Sequence, residues 1–505
     1  MTSAIRIIFL LFLNMLVLLY GHSQSSFNIH IGTEINDFIT SADNDKDDCT
    51  VFVGISSIST LSQPSFSRIV KVYPDGHYIN RVISLPDSMF ALYYVKVLAD
   101  GNYFVVTQKN KYPNPESEPS FMEIQIYDTA LTLLSKKSYA VPDSDKDYKG
   151  VGSECSMVED NDGNLILATA LSYYEGPAFR RDFIFYKFNL QGDTLVSKVY
   201  ETWYDALPFR LTKVPNSNEL MLISYGYLPG TEGELMFLDT NLDLLRVKRT
   251  RHTRGTSDSK KWLSDSTFII VNDSIQPRPG QSSEYMTKLS IMDINGRYLK
   301  TIALNHPDTI EYVTQYEGMS YFNDTTIYIS SVQSYNNLNF SVPNEVFLYI
   351  MDTALNIRGY KRLGDGHYYL ARGNQAAPDG GCFVWATRWK IPYDNNWGDI
   401  WIWKVMPEDM TLTTHVSYLP QSRRQGHAWP NPVDNEIFIS LDAFAQGETI
   451  HYRITDIQGR ICLNLKQTVD GNCLHTQTQN LDPGMYIYEI TGQNNKTISG
   501  KFIKN

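Results

Sequence analysis

Seven short apolar strands recur along this chain, each just after a cluster of turn-forming residues. They contain Phe52, Phe104, Ile166, Met221, Ile269, Tyr328 and Val384. The steps between these marks run from 48 residues (Met221 to Ile269) to 62 (Phe104 to Ile166), averaging about 55. A repeat of that size cannot bury its apolar faces alone and has to pack against its neighbours.

The turns carry their own chemistry. Asp100-Gly101, Asp162-Gly163, Asn216-Ser217 and Asp379-Gly380 offer left-handed backbone positions just before four of the strands. Each strand is therefore the second arm of a hairpin. A second hairpin follows, turning at Asp128-Thr129-Ala130-Leu131, Asp239-Thr240-Asn241-Leu242, Asp293-Ile294-Asn295-Gly296 and Asp352-Thr353-Ala354-Leu355. An Asp ending a strand can bond the backbone two residues on and turn the chain. Each unit reads as four antiparallel strands, and helical periodicity is nearly absent from 25 to 420.

Successive four-stranded units have one natural solution, blades set radially. This pattern resembles the broad β-propeller class, without the Gly-His and Trp-Asp pairs of WD40 repeats. The expected fold is all-β: a propeller of seven blades, with six or eight open, followed by a small C-terminal β-sandwich. Phe27–Ile31 alternates and could add the edge strand that closes the ring.

Arg6 followed by the apolar run from Ile7 to Tyr20 reads as a signal peptide over 1–23, with small residues before a cut after Ser23. No later stretch is long and apolar enough for a membrane helix. A net charge of −11 and no basic stripe argue against nucleic-acid binding. Five cysteines make no disulfide scaffold. Cys462 and Cys473 flank a turn at Asp470-Gly471 and could bond across adjacent strands, or stay two small buried thiols.

Past Arg424 the pattern changes. Trp429-Pro430-Asn431-Pro432-Val433 is followed by alternating Ile437-Phe438-Ile439, and then by Asp456-Ile457-Gln458-Gly459. Pro483-Gly484-Met485-Tyr486 comes next, and the chain ends Gly500-Lys501-Phe502-Ile503-Lys504-Asn505. This order resembles the type A C-terminal sorting domain of the type IX secretion system of Bacteroidetes, with Trp429 in place of the family's Tyr. The resemblance implies passage across the outer membrane through that machinery. It also implies removal of the tag by a sortase-like enzyme, with anchoring at the surface or release. The sorting positions it marks are Pro430, Asn431, Pro432, Asp456, Gly459, Gly484, Tyr486, Gly500, Lys501, Phe502 and Lys504. The expected division is 1–23, 25–420 and 421–505.

Candidate chemistry in the body is sparse. Asp143, Asp145, Asp147 and Glu154 have the spacing of a calcium loop, but Tyr148 stands where that loop needs Gly and no helices flank it. The segment reads first as a solvated acidic loop, leaving calcium as the only cofactor entertained. Trp389, Tyr393 and Trp397 read as loop rings that could stack on a sugar or peptide, with packing between blades as the alternative, while Trp401 and Trp403 read as core. No catalytic motif is present. The sequence therefore points to an exported protein whose body binds a glycan or protein. A hydrolase or lyase acting at the propeller channel is the alternative.

Overall fold

The computed structural model describes residues 26–412 and 424–505, apart from 34, 58–64, 85–87, 112–120, 140–144, 177, 203–205, 227–232, 251–256, 277–283, 305–310, 315–316, 334–341, 392–396, 426–427, 442–443, 445–446, 458–459, 472 and 493–496. The segment read as a signal peptide lies outside these residues. The chain divides into two compact units, 1–414 and 415–505.

In the first unit the described strands form seven antiparallel sheets, numbered here in chain order. Their first strands are Asn36–Asn44, Ser88–Val97, Gly150–Glu159, Ala206–Lys213, Ser257–Trp262, Met319–Asn323 and Tyr368–Ala376. These touch one another in that order, and the last touches the first. The seven sequence marks all fall on second strands, paired with Ala42, Lys96, Val158, Thr212, Lys261, Ser320 and Asn374. The repeat is thus real in three dimensions, with one equivalent residue per sheet.

Alternation puts apolar side chains on both faces of each sheet, so the core is divided among the gaps between sheets. Val51, Val53 and Ile69 of sheet 1 cluster with Leu92 and Val105 of sheet 2. The same holds for every following pair. The ring closes where Ile39, Phe52 and Val70 of sheet 1 meet Trp385, Ile400 and Ile402 of sheet 7. Burying each face against a neighbour is what makes this body a β-propeller.

Sheet 7 takes its outer strand from the other end of the unit. Phe27–Ile31 pairs antiparallel with Asp399–Val405, Phe27 opposite Lys404 and Ile31 opposite Ile400. The only helix among the described residues is a single 3-10 turn, Pro407–Asp409.

The second unit has a five-stranded sheet (Arg424–Gln425, Thr497–Lys504, Gly484–Thr491, Thr449–Asp456, Ile461–Thr468) and a three-stranded one (Ala428–Trp429, Glu436–Ser440, Cys473–Gln477). Ile437, Ile439 and Leu474 of the smaller sheet share one core with Tyr452, Ile454, Tyr488 and Phe502 of the larger.

This topology does not pair the two cysteines of the tag, nor does it bury them as small core thiols. Cys462 and Cys473 are free and exposed. The chain around Asp470-Gly471 does not turn back on itself; it passes from one sheet to the other, so the two thiols sit on non-adjacent strands.

Candidate functional site

Each sheet of the propeller has two different ends. At one end, first and second strands, and third and fourth, are joined by short turns such as Asp45–Cys49, Leu98–Asn102 and Asp128–Thr132. The Asp128 carboxylate accepts from the backbone of Ala130 (3.0 Å) and Thr132 (2.7 Å). Asp239 and Asp352 do the same in their own turns, as the sequence chemistry required. The opposite end carries the remaining connections.

A cavity of about 560 Å³ lies inside the ring at the tight-turn end. Its wall is built from the first strands, close to where they turn. Asp43, Lys96, Glu159 and Arg210 come from sheets 1, 2, 3 and 4. Glu317 comes from the break that divides the first strand of sheet 6 into Glu311–Val313 and Met319–Asn323, and Gln375 from sheet 7. Tyr94 and Tyr321 contribute rings.

The charges are engaged with one another. Lys96 Nζ lies 2.7 Å from Asp43 Oδ2, which also accepts from the backbone of Val97 (2.9 Å). Arg210 reaches Glu317 at 3.8 Å, both side chains nearly buried. Burial alone would lower the Lys96 pKa; the Asp43 carboxylate outweighs it and the net shift is upward. Burial pushes the Tyr94 phenol up to about 12, so it stays neutral and able to donate. Tyr321 is 43% exposed, and Lys261 lies 4.6 Å from its ring centre.

The sequence did not single out these residues. The signal was available once the repeat was aligned: Asp43, Lys96 and Gln375 share one position, each two residues before a first turn.

The expected aromatic rim is corrected in part. Trp389 is no loop ring; it ends the strand Cys382–Trp389 and is nearly buried, edge-on to Tyr368 at 5.9 Å. It packs so closely over Gly398 that a Cβ there would lie 2.7 Å from its Cε2. Trp397 is half-buried and Tyr393 lies outside the described residues. Trp389 is at the end of its sheet away from the cavity, so the two sites are not brought together. Trp403 is buried, and Trp401, half-buried, packs on the same cluster.

The acidic segment also takes a definite form. Asp145 and Asp147 are exposed, and Lys146 between them turns inward to Asp182 at 2.7 Å. Glu154 lies in the strand Gly150–Glu159, and Asp143 lies outside the described residues. Among the described residues no group of three or more His, Cys, Asp or Glu is placed to hold a metal ion, and no helix is long and apolar enough to cross a membrane.

In the second unit the sorting blocks from both ends of the tag meet. Val433 donates to Ile503 O (2.7 Å), Asn505 donates to Val433 O (3.0 Å), and the Asn431 side chain accepts from Ile503 N (2.9 Å). The flanking peptide bonds of Pro430 and Pro432 are cis. Asp456 accepts from Arg460 N (3.0 Å) and Arg460 Nε (2.6 Å) across its hairpin turn, in which Gly459 lies outside the described residues. Gly484 pairs with Lys504, Tyr486 with Phe502, and Tyr488 with Gly500. The Tyr486 and Phe502 rings stack at 5.5 Å, and Lys501 points to solvent.

These features define a propeller body joined to a small β tag whose two terminal motifs lock together. Residues 427–505 match the family described as "Secretion system C-terminal sorting domain". The chain is accordingly a secreted or cell-surface protein whose tag engages the type IX secretion machinery. No curated protein matches the chain significantly.

Solved structures similar to it include hydrazine synthase of Kuenenia stuttgartiensis (12% identity, 70% of this chain and 94% of that one, TM-score 0.42). Another is the α-L-arabinofuranosidase of Fusarium graminearum with arabinobiose (12%, 76% and 99%, 0.42). A third is the β-propeller domain of the trilobed protease of Pyrococcus furiosus (11%, 77% and 98%, 0.40).

Proposed function

We propose that this protein crosses the cell envelope by a signal peptide over 1–23 and then, from the periplasm, by a type IX secretion system, as exported proteins of Bacteroidetes do. Residues 25–420 form a seven-bladed propeller, one sheet per blade, closed by the N-terminal strand. Residues 421–505 form a two-layer β-sandwich that the secretion machinery recognises and a sortase-like enzyme removes. Outside the cell the propeller binds a glycan or a protein in its channel, without a cofactor.

The observation that supports binding is the cavity at the tight-turn end, whose cations are already engaged by carboxylates. Such a wall offers fixed donors and acceptors to a ligand. The mature chain on a glycan and peptide array tests it: retention without turnover is expected. Asp43, Glu159 and Glu317 on one wall favour a second reading, a hydrolase. Product formation from a retained glycan or peptide would establish that one and overturn the first.

A further inference from the structure

The order of charges around the channel goes further than a binding role, although it rests on that role. From sheet 1 to sheet 4 and then, past sheet 5, to sheet 6, the wall presents Asp43, Lys96, Glu159, Arg210 and Glu317, so the sign alternates along these five charges. From this alternation we infer that the channel ligand is a neutral polyhydroxylated molecule, a short uncharged oligosaccharide, and not an anionic polysaccharide or a charged peptide.

The argument is one of matching. A polyanion needs a continuous cationic arc, but here Lys96 is held by Asp43 at 2.7 Å and Arg210 lies 3.8 Å from Glu317. Three carboxylates against two cations leave the wall slightly negative. A polycation would in turn have to displace Lys96 and Arg210 from their carboxylates. A sugar hydroxyl both donates and accepts, so it can bridge a carboxylate and a neighbouring cation without disturbing either. Glu159, exposed and with no hydrogen bond or ion pair found for it among the described residues, can accept from one. Gln375 adds an amide and Tyr321 an exposed ring on which the apolar face of a pyranose can lie. The volume, about 560 Å³, suits a short oligosaccharide.

The test is calorimetric titration of the full mature chain with cellotriose, xylotriose, mannotriose and maltotriose, against trigalacturonate and a mixed charged-peptide library. At least one neutral trisaccharide should bind, with an affinity nearly independent of salt. Tyr321→Ala and Gln375→Ala should each weaken it about tenfold. Glu159→Lys should join Lys96 and Arg210 into one basic arc and turn the preference toward trigalacturonate. Thermal unfolding should be unchanged in all three variants, since these side chains are not part of the core.

Wild-type preference for trigalacturonate or a charged peptide, lost in the same variants, would overturn the neutral-ligand inference and leave the channel as the binding site. Retention of no probe, or binding that none of the three substitutions alters, would overturn the channel reading itself and the inference with it.

Discussion

The guanidinium of Arg81, on the outer strand of sheet 1, donates to the carbonyl oxygen of Leu131 in a turn of sheet 2. Leu131 has a left-handed backbone (φ 62°), rare for a branched side chain, and its side chain is buried against sheet 1. The same device recurs. Leu242 (φ 66°) is buried between sheets 3 and 4, and Tyr200 of sheet 3 donates to its carbonyl at 2.5 Å. Leu355 (φ 64°) is buried between sheets 5 and 6. These turns are thus held by the sheet before their own.

Truncating such a plug should loosen two sheets at once. Leu242→Ala is expected to cost about 2–4 kcal/mol, the usual range for a buried leucine. Leu242→Gly relieves the backbone strain but loses the same packing, so it should be no more stable than wild type. Denaturant unfolding of the mature chain measures both.

Acid should weaken the ring through buried carboxylates. Asp45 is fully buried with Lys71 Nζ at 2.7 Å and the Tyr103 hydroxyl at 2.6 Å. Burial alone would raise its pKa, but those hydrogen bonds bring it below the ordinary carboxylate value. A group depressed on folding contributes stability above its unfolded pKa and loses it as pH falls through the folded one. Melting temperature should therefore fall below about pH 4. Asp45→Asn should flatten that fall and cost about 3–5 kcal/mol at neutral pH, because Lys71 is left buried with only the exposed Asp47, 3.9 Å away, as counter-ion.

The closing strand should be as important to the body as any internal one. Ile29 and Ile31 are buried between sheets 7 and 1. Ile29→Asp would place an unpaired charge there. Limited proteolysis should then cut the propeller much faster, and a chain lacking 26–33 should behave likewise.

Gly500 lies under the ring of Tyr488, where an added Cβ would stand 2.6 Å from Cζ. Gly500→Val should cost about 1–3 kcal/mol by overpacking and leave a reduced share of the protein outside the cell, measured by fractionation. Gly471→Ala, with no atom within 4 Å of the added Cβ, is the control.

Thiol labelling under native conditions reports the second unit's topology. Cys462 and Cys473, both exposed, should react rapidly without reductant. Cys49 should not: it is buried, and burial pushes its thiol up to about 11.

The repeat, its hairpins and the tag were legible because each is encoded over short range. Asp128 turns the chain using atoms two and four residues away, and the strand marks alternate locally. Trp389 was misread because its neighbour Tyr368 comes from the adjacent strand and the bare backbone of Gly398 from the segment leading into the next. The cysteine pairing was left open because a polar Asp-Gly dipeptide marks a change of direction, whether the chain returns to the same sheet or crosses to another.

By itself the sequence determined that this chain is built of four-stranded units ending in a sorting tag, since backbone conformation and alternation depend on near neighbours. Only the tertiary structure decided which strand the closing segment pairs with and which charges line the channel. Phe27 meets Lys404, and Arg210 meets Glu317, across separations along the chain that no local pattern spans. Those contacts exist because each sheet has to bury its faces against another, which brings the first strands round to one axis.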